Sequence, residues 1–235
     1  MSIVNMDTSA VSSGRNALKP STREGHRSIP AWLRWTYTAF IAVFVPIYAM
    51  NYGPTNFLYF CDVALFLALL AVWTGHPLPA SMGAVGILVP QLFWCLDFIA
   101  TIFGVPFAGM TAYMFDETLP LHLRALSLFH GWLPFLLVFL VMRLGYDRRG
   151  FAGWTAMAVV LCLIAFFLMP AAGEPVASSA VPRNINYVFG FNDAQRQTWM
   201  PDGVYLVAWL AALTSLAYLP THLVLRKFFV KAGTN

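Results

Sequence analysis

Asp62, Asp97 and His130 are ionisable residues that stand inside long apolar stretches of this 235-residue sequence. An ionisable side chain inside a bilayer costs about 2.5–3.5 kcal/mol on insertion scales, so such residues usually face a protein interior and often mark a site. A histidine beside a carboxylate suits general acid–base catalysis, because the pKa of imidazole lies near ambient pH. We therefore expect His130 to act as acid or base, with Asp62 or Asp97 orienting it.

Three residues near these groups are candidate nucleophiles: Thr55, Cys61 and Ser127. None of them stands in the strand–turn–helix sequence of a nucleophile elbow. Cys61 also points about 100° away from Asp62 on a helix of 3.6 residues per turn. A residue of this kind is more often a packing residue than a nucleophile, and this is the alternative for each of the three.

Four further residues are candidates for contacts to a substrate. Arg124 lies one or two turns from His130 and would supply a counter-charge, and Trp94 shares a helix face with Asp97. Asn186 and Tyr187 belong to a polar and aromatic segment that would form a lid or contact a lipid headgroup. The alternative for that segment is an aromatic belt that anchors loops at the membrane surface.

Composition places the chain in the membrane class, because 59% of its residues are hydrophobic and only 10% are charged. Soluble domains carry about a quarter charged residues. The net charge of +4 would suggest a nucleic-acid partner, but the basic residues lie in short loops and tails instead of on one face. We expect membrane lipids as partners, with other membrane subunits as an alternative, and we expect neither a nucleic-acid partner nor a cofactor.

Six apolar runs approach the roughly 20 residues that a helix needs to cross hydrocarbon. They lie at 34–51, 57–75, 79–103, 121–143, 151–170 and 204–226. The sequence therefore predicts an all-α transmembrane bundle of six helices over 34–230, preceded by a flexible basic tail over 1–33.

The positions of the basic residues orient these spans. With six spans and the N-terminus inside, the cytoplasmic side holds all but three of the 14 Lys and Arg residues, and only Arg124, Arg183 and Arg196 fall outside. This bias is the positive-inside pattern. It predicts that both termini are cytoplasmic, and it is typical of a multi-pass protein of a bacterial inner membrane.

In this topology Asp62, Asp97 and His130 all fall about 8–14 Å below the outer surface, at a rise of 1.5 Å per residue. The sequence leaves four interpretations of that shared level open. The four are a structural set that fixes helix packing, an acid–base site that acts on a lipid-like substrate, a metal site without a spacing signature, and part of a proton or ion path. A non-enzymatic subunit or scaffold and a small transporter are the corresponding alternatives to an enzyme, and we expect no metal.

Four motifs resemble a bacterial family of six-helix membrane-associated proteins over about residues 30–230. They are NYGPTNFLYFCD at 51–62, PQLFWCLD at 90–97, LFHGWLP at 128–134 and NINYV at 184–188. That family has no established activity to carry over. The layout is more distantly similar to six-helix intramembrane hydrolases and acyltransferases of the androgen-induced fatty-acid-ester hydrolase type. This resemblance implies a Thr or Cys nucleophile, at Thr55 or Cys61, with His130; it does not explain Asp62 or Asp97.

Overall fold

The computed structural model describes residues 29–105, 108–176, 178 and 181–229, and the regular structure within them is entirely helical. Residues 1–28 of the predicted basic tail lie outside the described residues. The helices are α1 Ala31–Tyr52, α2 Phe60–Thr74, α3 Pro77–Ile102, α4 Leu121–Ser127, α5 Phe129–Leu144, α6 Arg149–Leu168, α7 Asp202–Ala212 and α8 Leu219–Phe229. The predicted all-α class is confirmed.

Five helical stretches in the described part of the chain are long and apolar enough to cross a membrane. They are Ala31–Tyr52, Pro77–Ile102, Leu121–Leu144, Arg149–Leu168 and Asp202–Phe229. The remaining apolar helix, α2, has only 15 residues, and a 3-10 turn over Pro54–Leu58 precedes it. The sequence predicted a longer second span, but Pro54 and the positive φ of Gly53 (78°) interrupt the helix before Phe60.

Two predicted spans are helices with an internal irregularity. The span 121–144 breaks at Leu128 between α4 and α5, and a π-helical turn over Leu213–Tyr218 joins α7 to α8. In α5, Pro134 lacks the N–H that would bond the His130 carbonyl. The Cys95 thiol of α3 approaches that carbonyl at 3.9 Å, so a neighbouring helix partly replaces the missing donor.

Helix α3 lies at the centre of the bundle and contacts α2, α5, α6 and the last span. Its small residues, among them the buried Ala80, Gly83 and Ala84, allow close approach of the neighbouring helices. A Cβ at Gly86 would overlap the ring of Trp154, which is fully buried on α6. A Cβ at Gly83 would lie 3.0 Å from the side chain of Leu137 on α5.

The outward faces of the long helices carry large apolar side chains. Phe135 is 77% exposed, Leu216 is 74% exposed and Phe167 is 70% exposed. Burying such side chains is favourable by about 1.5–3 kcal/mol each, which a lipid environment provides and water does not. The exposed surface therefore fits a membrane protein.

The connections between helices divide the bundle into two ends. We call the end that carries the segments 53–59, 103–120 and 169–201 the loop end, and the opposite end, with the short connections 75–76 and 145–148, the turn end. Asp62, Asp97 and His130 all lie in the part of their helices that is nearest to the loop end. The predicted common level of the three residues thus corresponds to one end of the bundle.

Candidate functional site

His130 is oriented by a backbone carbonyl at the break between α4 and α5. Its Nδ1 lies 2.7 Å from the Ser127 carbonyl oxygen, and because a carbonyl only accepts, Nδ1 carries the proton. The break makes this carbonyl available, since the Gly131 N–H donates to Leu128 instead, at 2.9 Å. In the neutral ring, Nε2 then keeps its lone pair. Nε2 makes no hydrogen bond to the described residues, and the side chain is only partly buried.

Two aromatic rings stack on the His130 imidazole. The centroid of the Trp94 ring lies 4.9 Å from that of the imidazole, at an interplanar angle of 17°. The centroid of the Phe129 ring lies 4.0 Å from it, at an angle of 28°. Trp94 is itself held in place because its Nε1–H donates to the Tyr113 hydroxyl at 3.3 Å. Trp94, a predicted substrate contact, therefore packs on the candidate base and helps to fix its ring plane.

Ser127 takes part in a hydroxyl pair next to this site. Its Oγ donates to the Leu123 carbonyl at 3.1 Å, so the Tyr48 hydroxyl, 2.6 Å from that Oγ, is the donor in the second bond. The Asp62 carboxylate lies close enough to the Tyr48 hydroxyl to interact with it electrostatically. Ser127 contacts His130 through its carbonyl and not through its hydroxyl, which argues against Ser127 as a nucleophile activated by His130.

Asp62 is buried near the start of α2 and is bonded to Asn56 instead of His130. The Asn56 side-chain amide donates to Asp62 Oδ2 at 2.7 Å. The other oxygen, Oδ1, is buried and has no hydrogen-bond partner among the described residues. This places Asp62 in the polar surroundings of the site but not in the role of orienting group.

Asp97 holds the loop that follows α3. Its Oδ1 accepts from the backbone N–H groups of Ala108 (2.8 Å) and Gly109 (3.2 Å), and its Oδ2 accepts from the N–H and hydroxyl of Thr111 (3.0 and 2.9 Å). The residue is 0% exposed. The expectation that Asp62 or Asp97 orients the imidazole is therefore corrected, since the proton on His130 Nδ1 goes to a carbonyl oxygen.

The other two candidate nucleophiles lie near α2. Thr55 is a partly exposed residue of the 3-10 turn and makes no hydrogen bond to the described residues. Cys61 is a free, partly buried thiol close enough to Asp62 to interact with it electrostatically. No hydrogen bond joins either side chain to His130 within the described part of the chain, so the structure does not select a protein nucleophile.

Asn186, a predicted substrate contact, is a structural clasp between the long loop and α2. Its Oδ1 accepts from the Phe60 N–H at 3.0 Å, and its Nδ2 donates to the Leu58 carbonyl at 3.0 Å. Its own carbonyl accepts from Trp209 Nε1 at 2.8 Å. Asn186 adopts a left-handed backbone (φ 59°), which asparagine tolerates better than most residues. Its polar atoms are thus used within the protein.

Tyr187 and Tyr113 extend the polar surroundings at the loop end. Burial, and then the nearby Asp193, Cys61 and Asp97, raise the pKa of Tyr187 to about 12. Burial likewise raises the pKa of Tyr113 above its ordinary value. Both hydroxyls are therefore protonated at neutral pH.

Arg124, the remaining predicted substrate contact, points toward the loop that follows α3. Its guanidinium donates to the Met114 carbonyl at 3.3 Å, while its Nε is buried without a partner among the described residues. No group of three His, Cys, Asp or Glu side chains in the described residues is arranged to hold a metal ion.

The sequence did not predict the hydrogen-bond partners of the candidate residues. Tyr48 and Asn56, which bond Ser127 and Asp62, were not predicted as site residues. A hydroxyl near the outer end of an apolar helix was the available signal for Tyr48. Asn56 lies in the 3-10 turn that precedes α2.

Comparison of the chain with protein-family models, with curated proteins and with solved structures finds no match.

Proposed function

We propose that this chain is an integral membrane enzyme, a hydrolase or acyltransferase, in which His130 is the general base and acid for a lipid-like substrate. We further propose that the loop end faces the periplasm and that both termini are cytoplasmic, in a bacterial inner membrane. The bias of Lys and Arg toward one side supports this orientation. The resemblance to six-helix intramembrane hydrolases and acyltransferases agrees with the proposed reaction class.

The observation that carries the proposal is the state of the His130 ring. The Ser127 carbonyl holds the proton on Nδ1, and Nε2 is left with a lone pair and no bond to the described residues. A side chain that served only to fix packing would be expected to use both ring nitrogens, because unpaired polar atoms are costly in an apolar interior. A positioned, neutral imidazole is the group most often used as a general base.

The reaction follows from that lone pair. Nε2 takes a proton from the hydroxyl of water, or of an acceptor alcohol, as the oxygen bonds to the carbonyl carbon of an ester. The bond to the leaving alkoxide then breaks, and the alkoxide takes the proton back from Nε2. Water as the attacking group gives hydrolysis, and an alcohol gives acyl transfer. Neither case needs Thr55, Cys61 or Ser127 as a covalent nucleophile.

The surroundings of His130 support a substrate that comes from the bilayer. A Cβ built on the next residue, Gly131, meets no atom within 4 Å. Leu128 and Phe135, on the same helical face as Gly131, are 45% and 77% exposed. This stretch of the bundle surface is therefore open and apolar beside the candidate base, which suits an acyl chain better than a water-soluble substrate.

Replacing His130 by Gln tests the proposal. The protein would be reconstituted in phosphatidylcholine vesicles and assayed for hydrolysis of 4-methylumbelliferyl heptanoate and for release of fatty acid from the vesicles. We expect His130→Gln to lower turnover by about 10²–10⁴-fold, the usual contribution of a general base. His122→Gln changes an exposed histidine at the start of α4 and should leave turnover unchanged. Equal turnover in the two variants, or no turnover of either substrate by the wild type, would refute the proposal.

A non-enzymatic membrane subunit is the second candidate, and the bonding of Asp97 favours it. The carboxylate is used to hold the loop that follows α3, as expected of a buried polar residue with a structural role. This candidate predicts that Asp97→Asn releases a partner protein that co-purifies with the wild type, while His130→Gln does not. Co-purification of no partner in stoichiometric amount would exclude it.

A further inference from the structure

A second feature of the loop end lies apart from His130. The long connection between α6 and α7 carries an open cavity of about 390 Å³ at the protein surface, lined by Phe191, Asn192 and the segment 195–199. This volume is within the range of about 300–1,000 Å³ that is usual for small-molecule sites. None of the residues assigned to the proposed acid–base site lines this cavity.

Two aromatic side chains of the cavity are exposed although they are held in position. Phe191 is 71% exposed, and its ring packs edge-on against Trp209 with centroids 5.3 Å apart. Trp199 is 67% exposed, and its ring packs edge-on against Tyr205 at 5.8 Å. Each ring contacts one neighbouring ring and leaves most of its side chain exposed. Such rings can serve as platforms for an apolar ligand face.

The charged residue of the cavity is already neutralised. The Arg196 guanidinium forms ion pairs with Glu174 and with Asp202, the latter at 3.0 Å. Its charge also lies 4.8 Å above the Phe189 ring. With two carboxylates on one guanidinium, the cavity offers no excess positive charge to select a phosphate or another anion.

The remaining polar groups are neutral and include unused hydrogen-bonding atoms. The amide of Gln195 and the hydroxyl of Thr198 make no hydrogen bond to the described residues, whereas Asn192 uses its Oδ1 to accept from the Ala194 N–H at 2.7 Å. The Asn192 NH₂ group keeps its donors for a ligand. Amides and hydroxyls both donate and accept, and this suits a ligand that is itself rich in hydroxyl groups.

Gln197 makes the cavity rigid. Its Oε1 accepts from the N–H groups of Trp199 (3.1 Å) and Met200 (3.0 Å), and its own N–H donates to the Phe189 carbonyl at 2.9 Å. Gly190, at φ 129°, allows the backbone at residue 190 to lie close to residue 197, because a Cβ on residue 190 would be 3.1 Å from the Gln197 nitrogen. A pre-formed site loses less entropy on binding.

We propose that this cavity binds a neutral sugar, either as the headgroup of a glycolipid or as a free glycoside. The C–H face of the sugar ring packs on Trp199 or Phe191, and its hydroxyls bond to the amides of Asn192 and Gln195 and to Thr198. Exposed aromatic platforms, neutral amides and a cancelled charge together fit a sugar and not an anionic headgroup. The site is independent of the reaction proposed for His130.

Native mass spectrometry of the full chain tests this proposal, in a polyoxyethylene detergent that carries no sugar. Equal amounts of galactosyldiacylglycerol, glucosyldiacylglycerol and phosphatidylglycerol with the same acyl chains are offered together. We expect the wild type to retain at least one glycolipid in preference to phosphatidylglycerol. Trp199→Ala should weaken that retention about tenfold, the effect of losing one aromatic contact together with its buried area. Trp32→Ala is the matched control, because Trp32 is 68% exposed but lies at the start of α1.

A separate arm identifies the source of the sugar. Methyl galactoside and methyl glucoside, which carry no acyl chains, are added to the protein that has retained glycolipid. Displacement of the glycolipid shows that the sugar alone is recognised. Absence of displacement shows that the site requires the lipid-borne headgroup. Equal retention of all three lipids would overturn the proposal. An equal loss of retention in Trp199→Ala and Trp32→Ala would overturn it as well, since it would assign the effect to general lipid adsorption.

Discussion

Gly86→Ala perturbs the closest contact in the bundle, between α3 and α6. A Cβ at residue 86 would overlap three atoms of the Trp154 ring. The ring cannot move aside freely, because Trp154 is 0% exposed and packs against the rings of Phe60 and Tyr218. Gly131→Ala is the matched control, since a Cβ there meets nothing within 4 Å.

The two substitutions are expected to change the free energy of unfolding in opposite directions. Alanine favours a helix over glycine by about 0.5–1 kcal/mol, so Gly131→Ala should raise the free energy of unfolding by up to that amount. At Gly86 the same gain is opposed by overpacking, which costs about 1–3 kcal/mol and more where the neighbours cannot relax. Because the overlap with a fully buried ring is severe, the upper part of that cost applies, and after the helix gain is subtracted we expect Gly86→Ala to lower the free energy of unfolding by about 2 kcal/mol.

Unfolding in detergent by titration with sodium dodecyl sulfate measures both variants under one condition. Trp154→Phe removes part of the overlapping ring and leaves a void, which should itself cost about 1–3 kcal/mol. The double variant Gly86→Ala/Trp154→Phe should then lose less stability than the sum of the single variants, because the new Cβ fills the space that the smaller ring leaves. Additive losses, or a Gly86→Ala variant as stable as Gly131→Ala, would refute the close packing of α3 on α6.

Three other predictions concern polar groups at the loop end. Asp97→Asn places an NH₂ group against N–H or O–H groups whose hydrogen bonds the carboxylate now accepts, so amide hydrogen exchange in the loop after α3 should rise at least tenfold. The control Asp116→Asn, at an exposed residue of the same loop, should not raise the exchange. Asn186→Ala leaves the Phe60 N–H and the Leu58 carbonyl unpaired and should lower the free energy of unfolding by about 2–4 kcal/mol. Asn51→Ala, at an exposed residue, should change the free energy of unfolding little. Equal effects of the two substitutions would contradict the clasp formed by Asn186. The pKa of Glu174 is lowered by the Ala171 N–H and then by Arg196. The stabilisation from the Glu174 carboxylate is therefore complete above the ordinary pKa of about 4.3 and is lost as pH falls through the lower pKa in the fold. Proteolysis of the loop that carries Glu174 should rise in acid, and Glu174→Gln should remove that pH dependence.

The helical architecture was predictable because apolar run length is a direct physical requirement of the bilayer. The predicted run 79–103 and the observed α3, Pro77–Ile102, differ only by one or two residues at each end. The interruption at Leu128 and the π-helical turn were not predictable from hydropathy, since apolar residues continue through both.

The depth of the three candidate residues along their helices was predictable, and their hydrogen-bond partners were not. Depth follows from counting residues along a span, and it placed Asp62, Asp97 and His130 at one end of the bundle as observed. Hydrogen-bond partners depend on the paths of the loops. The segment 108–111 returns to Asp97, and a 3-10 turn brings Asn56 to Asp62, and neither carboxylate bonds to His130.

The protonation of the His130 ring is the most direct test of the proposed base. Nitrogen-15 NMR of histidine-labelled protein in vesicles at neutral pH would resolve the two ring nitrogens, with His130→Gln identifying the resonances among the five histidines. The carbonyl contact of Nδ1 predicts a neutral ring with a protonated Nδ1 and a bare Nε2. A proton on Nε2, in the opposite tautomer or in an imidazolium, would contradict the geometry on which the proposed chemistry depends.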